Sequence, residues 1–285
     1  MTFTGKTKNL GIIGYPIEHS LSPAIQGAAI ETAGIDYSYI AMPVSPEKLS
    51  LAVTGLASLG FSGFNVTIPH KVAIMDYLDE IDESARMIGA VNTVAVRDGK
   101  LYGYNTDCTG FMAPLHKQGV SMKGKRAVLL GAGGAARAII WGLIMDGVQK
   151  IEIGVRNPEK VEPLAAAFRK HVKIEVKNWE DAAFERNLEL ADLIVNTTPL
   201  GMSPHIDEMP RINWDYVNKE TFIYDIIYVP QMTKFLQMAQ QNGNPVLNGE
   251  GMLVEQGAVA FKIWTGCEAD VEVMTKALRA YLRNL

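Results

Sequence analysis

Ala127-Val128-Leu129-Leu130-Gly131-Ala132-Gly133-Gly134-Ala135-Ala136 is the stretch that decides the fold. A short apolar run, the length of a buried strand, enters G-x-G-x-x-A and then a helical pattern reaching Met145. Each small residue has a physical purpose. Gly131 permits a tight turn, Gly133 lets backbone approach a pyrophosphate, and Ala136 lets the helix pack close to the strand. The helix N-terminus, with its unpaired N–H groups, then faces the phosphates. The bland alternative is a merely tight strand–helix turn. The strand before, the helix after and a second strand at 150–155 favour a dinucleotide site made of Gly131, Ala132, Gly133, Gly134 and Ala135.

The end of that second strand bears on which dinucleotide is bound. It reads Val155-Arg156-Asn157-Pro158-Glu159-Lys160. An acidic residue there would bind ribose hydroxyls, whereas Arg accommodates a 2′-phosphate. Glu152 falls too early, inside the strand. Arg156 at the tip and Lys160 one helical turn later point to NADP(H), with NAD open as the alternative; the rival reading is two ordinary solvated cations.

Working outward, strands at 126–130, 150–155, 172–176, 193–196 and 222–227 alternate with helices at 134–145 and 158–170. Connections of that length imply right-handed crossovers and a parallel sheet covered on both faces. Upstream, a different rhythm predicts strands at 10–14, 37–42 and 63–68. It also predicts helices at 22–33, where Ser22 caps and Pro23 leads, and at 46–59. A hairpin is expected over 90–96 and 100–104 around Asp98-Gly99, followed by a helix at 109–118. The tail over 251–285 reads as helical and is expected to fold back on the first region. The fold class is therefore α/β: an N-terminal α/β domain completed by C-terminal helices, plus a doubly wound parallel-sheet (Rossmann) domain.

Composition agrees with a globular chain of about two domains. There are 285 residues, 48% hydrophobic and 20% charged, with a net charge of −4. A mildly acidic chain argues against nucleic acid as the main partner. The most apolar stretch, 127–145, contains Arg137 and falls short of a membrane span, so no membrane partner is expected. Cys108 and Cys267 cannot staple a chain this long, and no cluster has metal-ligand spacing, so a reduced cytoplasmic protein without metal is expected. Nothing in the sequence fixes the oligomeric state, which leaves a homodimer open.

Three clusters in the first region, and one in the tail, carry chemistry. Gly14 to Pro23 joins a strand to a helix start, and its Ser20 and Ser22 can present two hydroxyls to one carboxylate. Lys71 follows a strand broken by Pro69, at the edge of an expected cleft; His70 beside it reads as structural. Asn92 and Asp107 sit at opposite ends of the hairpin strands, and an Asp107 carboxylate beside Lys71 would fix the ammonium in place; the rival role for Asp107 is a helix cap. In the tail, Met252 and Gln256 lie four apart and share a helix face that can serve as a ligand wall.

The chain resembles the shikimate dehydrogenase family, including its quinate/shikimate dehydrogenase relatives. The matching stretches are GYPIEHSLSP (14–23), NVTIPHK (65–71), GAVNT (89–93), NTD (105–107), GAGGAARA (131–138), NTTPLGM (196–202), DIIYVP (225–230) and NGEGMLVEQ (248–256). The resemblance implies a substrate-binding domain over 1–107 completed by 246–285, and an NADP-binding Rossmann domain over 108–245. It implies reversible NADPH-dependent reduction of 3-dehydroshikimate to shikimate, in aromatic amino-acid biosynthesis. By motif, Lys71 and Asp107 would be the catalytic pair and Ser20 and Ser22 would hold the substrate carboxylate. Thr67, Asn92, Asp107 and Gln256 would bind ring hydroxyls with Tyr228 nearby, while Thr198, Gly249 and Met252 would border the cofactor. Two departures stand out: Gln26-Gly27 replaces the common His-Asn, and Val155-Arg156-Asn157 replaces Asn-Arg-Thr, which loosens the coenzyme assignment while keeping Arg156. The rival readings are a quinate-active or NAD-preferring relative, a methylene-tetrahydrofolate dehydrogenase, and a non-catalytic nucleotide-binding regulator. Lys71 with Asp107 and the Ser20/Ser22 loop disfavour the last two.

Overall fold

The first sheet grows from β1 (Lys8–Gly14), whose inner residues are buried, and which leads through a loop into α1 (Ser22–Ala33). In this computed structural model, which describes residues 4–283, the chain forms two units: Met1–Gly110 with Leu253–Leu285, and Phe111–Met252. Helix α1 begins with Pro23 in its first turn and ends at Gly34 in the left-handed region, φ 64°. Ser22 does not cap it. The residue before the helix is Leu21 and no side chain caps the first turn, so the Ser22 hydroxyl is left for other partners.

The first unit continues with β2 (Tyr37–Pro43), α2 (Leu49–Ser58), β3 (Gly63–Val66), β4 (Glu80–Ile81), α3 (Glu83–Ile88), β5 (Thr93–Arg97) and β6 (Lys100–Tyr104). The sheet order is β2-β1-β3-β5-β6-β4, parallel between β1 and its neighbours β2 and β3, and antiparallel across β3-β5-β6. The hairpin turns at Asp98 (φ 50°) and Gly99 (φ 77°), as the Asp-Gly pair predicts. Its first strand starts at Thr93 rather than 90, because the Val91 amide is taken by the Lys71 carbonyl at 2.7 Å. The helix expected over 46–59 opens as a single tight turn, Pro46–Lys48, before α2.

Helix α4 (Asp107–Lys117) leads into the second unit: β7 (Arg126–Leu130), α5 (Ala136–Met145), β8 (Lys150–Val155), α6 (Pro158–Phe168), β9 (Lys173–Asn178), α7 (Ala182–Asn187), β10 (Leu193–Asn196), β11 (Phe222–Asp225), α8 (Lys234–Asn242) and β12 (Val246–Leu247). This sheet is wholly parallel, ordered β12-β11-β10-β7-β8-β9. The order reverses between β7 and β10, the switch point where open α/β sheets bind ligands. Ala127 and Leu129 join one core with Ile139, Ile151 and Phe168, while Val128 and Leu130 join the other with Phe184, Ile194 and Leu236. A strand covered on both faces is apolar at every position, which is why the 127–130 run reads so clearly.

Glu152, the acid inside β8, is 3% exposed yet fully engaged. Both of its oxygens accept from Asn187 Nδ2 at 3.0 Å, and Lys150 Nζ lies 3.2 Å away. Helices α9 (Glu250–Thr265) and α10 (Val271–Leu282) end the chain. In the first unit Trp264 on α9 donates its Nε1–H to the Val94 carbonyl at 2.9 Å, beside the Tyr39 ring. No described helix is long and apolar enough to cross a membrane.

Candidate active site

Lys71 and Asp107 are 36 positions apart in sequence, and the fold of the first unit makes them neighbours. Lys71 Nζ stands 2.5 Å from Asp107 Oδ2. The turn carrying Lys71 is fixed from both sides. The His70 amide donates to the Thr67 carbonyl at 2.9 Å, and the buried His70 ring places Nε2 2.7 Å from the Val44 carbonyl. His70 is thus structural, as its sequence context suggests.

Asp107 opens α4, and its carboxylate serves the lysine rather than capping the helix. Its other oxygen, Oδ1, accepts from Asn92 Nδ2 at 2.8 Å. Asn92 Oδ1 in turn accepts from the Thr106 amide at 2.8 Å and from Thr93 Oγ1 at 3.0 Å. Thr106 Oγ1 reaches Gln256 Oε1 at 3.4 Å, which brings α9 to the same cluster. Cys108 is next in the chain and partly buried. Burial, then the charge of Asp107, pushes its thiol up to about 11.

A buried polar chain continues towards the serine loop, and two of its members, Asn65 and Tyr39, were assigned no role from sequence. Asn65 Nδ2 donates to the Asn92 carbonyl at 3.1 Å and to Thr93 Oγ1 at 3.0 Å, and its Oδ1 accepts from Tyr39 at 2.6 Å. The Ser22 side chain hydrogen-bonds the Tyr39 hydroxyl, whose titration burial drives far upward. Ser20 Oγ accepts from the Ser22 amide at 3.3 Å. Thr67 leans on this loop: a Cβ on Gly14 would lie 2.5 Å from Thr67 Cγ2. The one sequence signal for Asn65 is an amide at a buried position of a short apolar strand, where a polar side chain needs partners.

In the second unit the glycine turn has the form expected for a dinucleotide. Gly131 takes φ 92°, and a Cβ on it would meet Thr198 Cγ2 at 2.4 Å. A Cβ on Gly133 would meet the Thr197 carbonyl oxygen at 2.7 Å. Gly133 and Gly134 are exposed, and α5 opens at Ala135 without a side-chain cap, which leaves its N-terminal amides to an anion. Arg156 and Lys160 are exposed at the end of β8 and in the first turn of α6, whose cap is Asn157. This donor set fits a phosphorylated dinucleotide. Thr198 hydrogen-bonds Asn196, and Gly249 donates its amide to the Ile227 carbonyl at 2.9 Å. Tyr228 is partly buried after β11, and burial raises its phenol. Met252 is largely buried and packs into the core of this unit.

A doubly wound sheet with a glycine turn at its switch point, in one chain with an α/β unit that sets a partly buried lysine–aspartate pair among amides and hydroxyls, defines a dinucleotide-dependent dehydrogenase. Family models match along the chain: "Shikimate dehydrogenase substrate binding domain" at residues 12–94, "Shikimate / quinate 5-dehydrogenase" at 114–227 and "Shikimate 5'-dehydrogenase C-terminal domain" at 249–279. The chain belongs to the shikimate dehydrogenase family. It is 44% identical to the shikimate dehydrogenase (NADP(+)) of Methanopyrus kandleri over 98% of this chain and 97% of that one. Among solved structures it matches the Listeria monocytogenes shikimate 5-dehydrogenase in complex with shikimate and NAD, with TM-score 0.93, 36% identity and 98% of each chain covered. It also matches a shikimate dehydrogenase in complex with NADP+, with TM-score 0.90, 43% identity and coverage of 98% and 97%.

Proposed function

We propose that this chain catalyses the reversible NADP(H)-dependent reduction of 3-dehydroshikimate to shikimate, within aromatic amino-acid biosynthesis. The observation that carries the reading is the Lys71–Asp107 pair at 2.5 Å, set among Asn92, Thr106 and Gln256. Relatives 44% and 45% identical over nearly the whole chain bear the corresponding name.

When bound, the nicotinamide supplies the hydride, so the protein's own task is orientation and a proton. As negative charge develops on the ketone oxygen, the Lys71 ammonium stabilises it and delivers the proton. Asp107 holds the ammonium, and Asn92 fixes the second Asp107 oxygen so that the carboxylate cannot swing away. In the oxidation direction the pair receives the hydroxyl proton. Ser20 and Ser22 hold the substrate carboxylate, with Ser22 released from capping for that role. Thr67, Asn92, Asp107 and Gln256 address the ring hydroxyls. The glycine turn at 131–135 takes the pyrophosphate, and Arg156 with Lys160 takes the 2′-phosphate. The free cysteines and the net charge of −4 support a reduced cytoplasmic setting without a nucleic-acid partner.

Steady-state oxidation of shikimate and quinate, each with NADP+ and NAD+, tests the assignment. Shikimate with NADP+ is expected to give the highest kcat/KM. Lys71→Ala is expected to lower kcat by about 10²–10⁴-fold with far less change in shikimate KM, because the lost interaction strengthens mainly in the transition state. Near-normal kcat in folded Lys71→Ala removes Lys71 from the chemistry.

A further inference from the structure

Asp225 ends β11 with 0% exposure, and the proposed chemistry does not use it. Taking a carboxylate out of water is costly unless donors surround it. Three do: Asn196 Nδ2 at 3.0 Å and the Ile227 amide at 3.1 Å on Oδ1, and Thr233 Oγ1 at 2.7 Å on Oδ2. Even so, burial pushes this carboxyl up to about 6.

The donors come from separate segments, and one of them, Asn196, leads to the glycine turn. Asn196 ends β10, and its Oδ1 accepts from the Thr198 amide at 2.9 Å and the Thr198 hydroxyl at 2.7 Å. Thr198 is the residue that lies against Gly131. Ile227 follows β11, and its carbonyl accepts the Gly249 amide. The approach there is so close that a Cβ on Gly249 would lie 1.9 Å from the Ile226 carbonyl oxygen. One carboxylate thus ties together the loop after β10, the turn after β11 and the segment entering α9, all in the second unit.

We infer that Asp225 is a positioning residue for the coenzyme: through Asn196 and the Ile227 amide it fixes the Thr198 loop and the 226–228 turn, and so sets coenzyme affinity without touching the coenzyme. The inference rests on the assignment of the glycine turn to NADP(H). Hydrogen-bond polarity makes it testable. In Asp225→Asn the carbonyl can face Asn196 and Ile227 while the amide donates to a rotated Thr233 hydroxyl, whereas Asp225→Ala leaves all three donors unserved.

The experiment is direct titration of the full chain with NADP+ and, separately, with shikimate. Asp225→Ala and Asn196→Ala are expected to weaken NADP+ binding roughly tenfold. Asp225→Asn should stay within about threefold of wild type, and in every variant the shikimate dissociation constant should move much less than the NADP+ one, the share that reaches it passing through Tyr228 in the 226–228 turn. Asn196→Ala, which leaves Asp225 with Thr233 and Ile227, decides alone if Asp225→Ala does not fold. Wild-type NADP+ affinity in these variants, equal losses for shikimate, or an Asp225→Asn as weak as Asp225→Ala overturns the inference. A Gly134→Asp control puts a carboxylate where the pyrophosphate is proposed to sit. If that variant binds NADP+ normally, the coenzyme-site reading itself has failed.

Discussion

Arg156 shows how far a single side chain can be read. It stands exposed where β8 ends, at the position where an acid would select for ribose hydroxyls. A guanidinium there can make paired, charge-assisted bonds to a 2′-phosphate. Arg156→Ala is therefore expected to lower kcat/KM with NADP+ roughly tenfold to a hundredfold and to leave NAD+ nearly unchanged. Both coenzymes should be compared at one ionic strength; equal losses would take the phosphate away from Arg156. Arg156 and Asp107 could be picked out because they sit where β8 ends and α4 begins, and Lys71 because it follows the turn that Pro69 marks after β3. Tyr39 and Asn65 could not. Their significance comes from partners 26 to 28 positions away across the sheet, and no local pattern encodes that pairing.

At the scale of an element, Asp225 and β11 carry a consequence for stability. Its carboxyl titrates at about 6 in the fold against an ordinary 3.8. A raised acid contributes stability below the unfolded value, and that contribution is lost as pH rises through the folded one. At neutral pH the ionised group therefore weighs against the folded state. Asp225→Asn is expected to be more stable than wild type by about 1–3 kcal/mol near pH 7.5, with the advantage gone by about pH 4. Urea unfolding at both pH values checks it; an advantage that persists at low pH would mean that the carboxylate is not its source. Strands were the most legible elements. β10 spans Leu193–Asn196 as the apolar run predicts, whereas helix starts moved. α5 begins at Ala136 rather than 134 because the Ala136 amide turns back to the Gly133 carbonyl and leaves the two glycines as an open turn.

The whole chain was legible in its two rhythms, since crossover helices between buried strands dictate a parallel sheet whatever the details. The return of the C-terminal helices to the first unit was only faintly marked. It depends on contacts such as Thr106 with Gln256, 150 positions apart, and Trp264 with Val94, 170 apart. Trp264 closes the first sheet so tightly that a Cβ on Gly63 would lie 2.3 Å from its ring. Trp264→Ala is expected to destabilise the chain by about 3–5 kcal/mol, read as a lower midpoint in urea; an unchanged midpoint would show that the ring is not a keystone. The same closure sets an order of events during synthesis. Strands β1 to β6 leave the ribosome before residues 111–252, and the indole that packs on them leaves only after. The segment at 111–252 is contiguous and already has all its residues by then. Every residue of the second unit is therefore available to fold while the first sheet still lacks the indole that closes it.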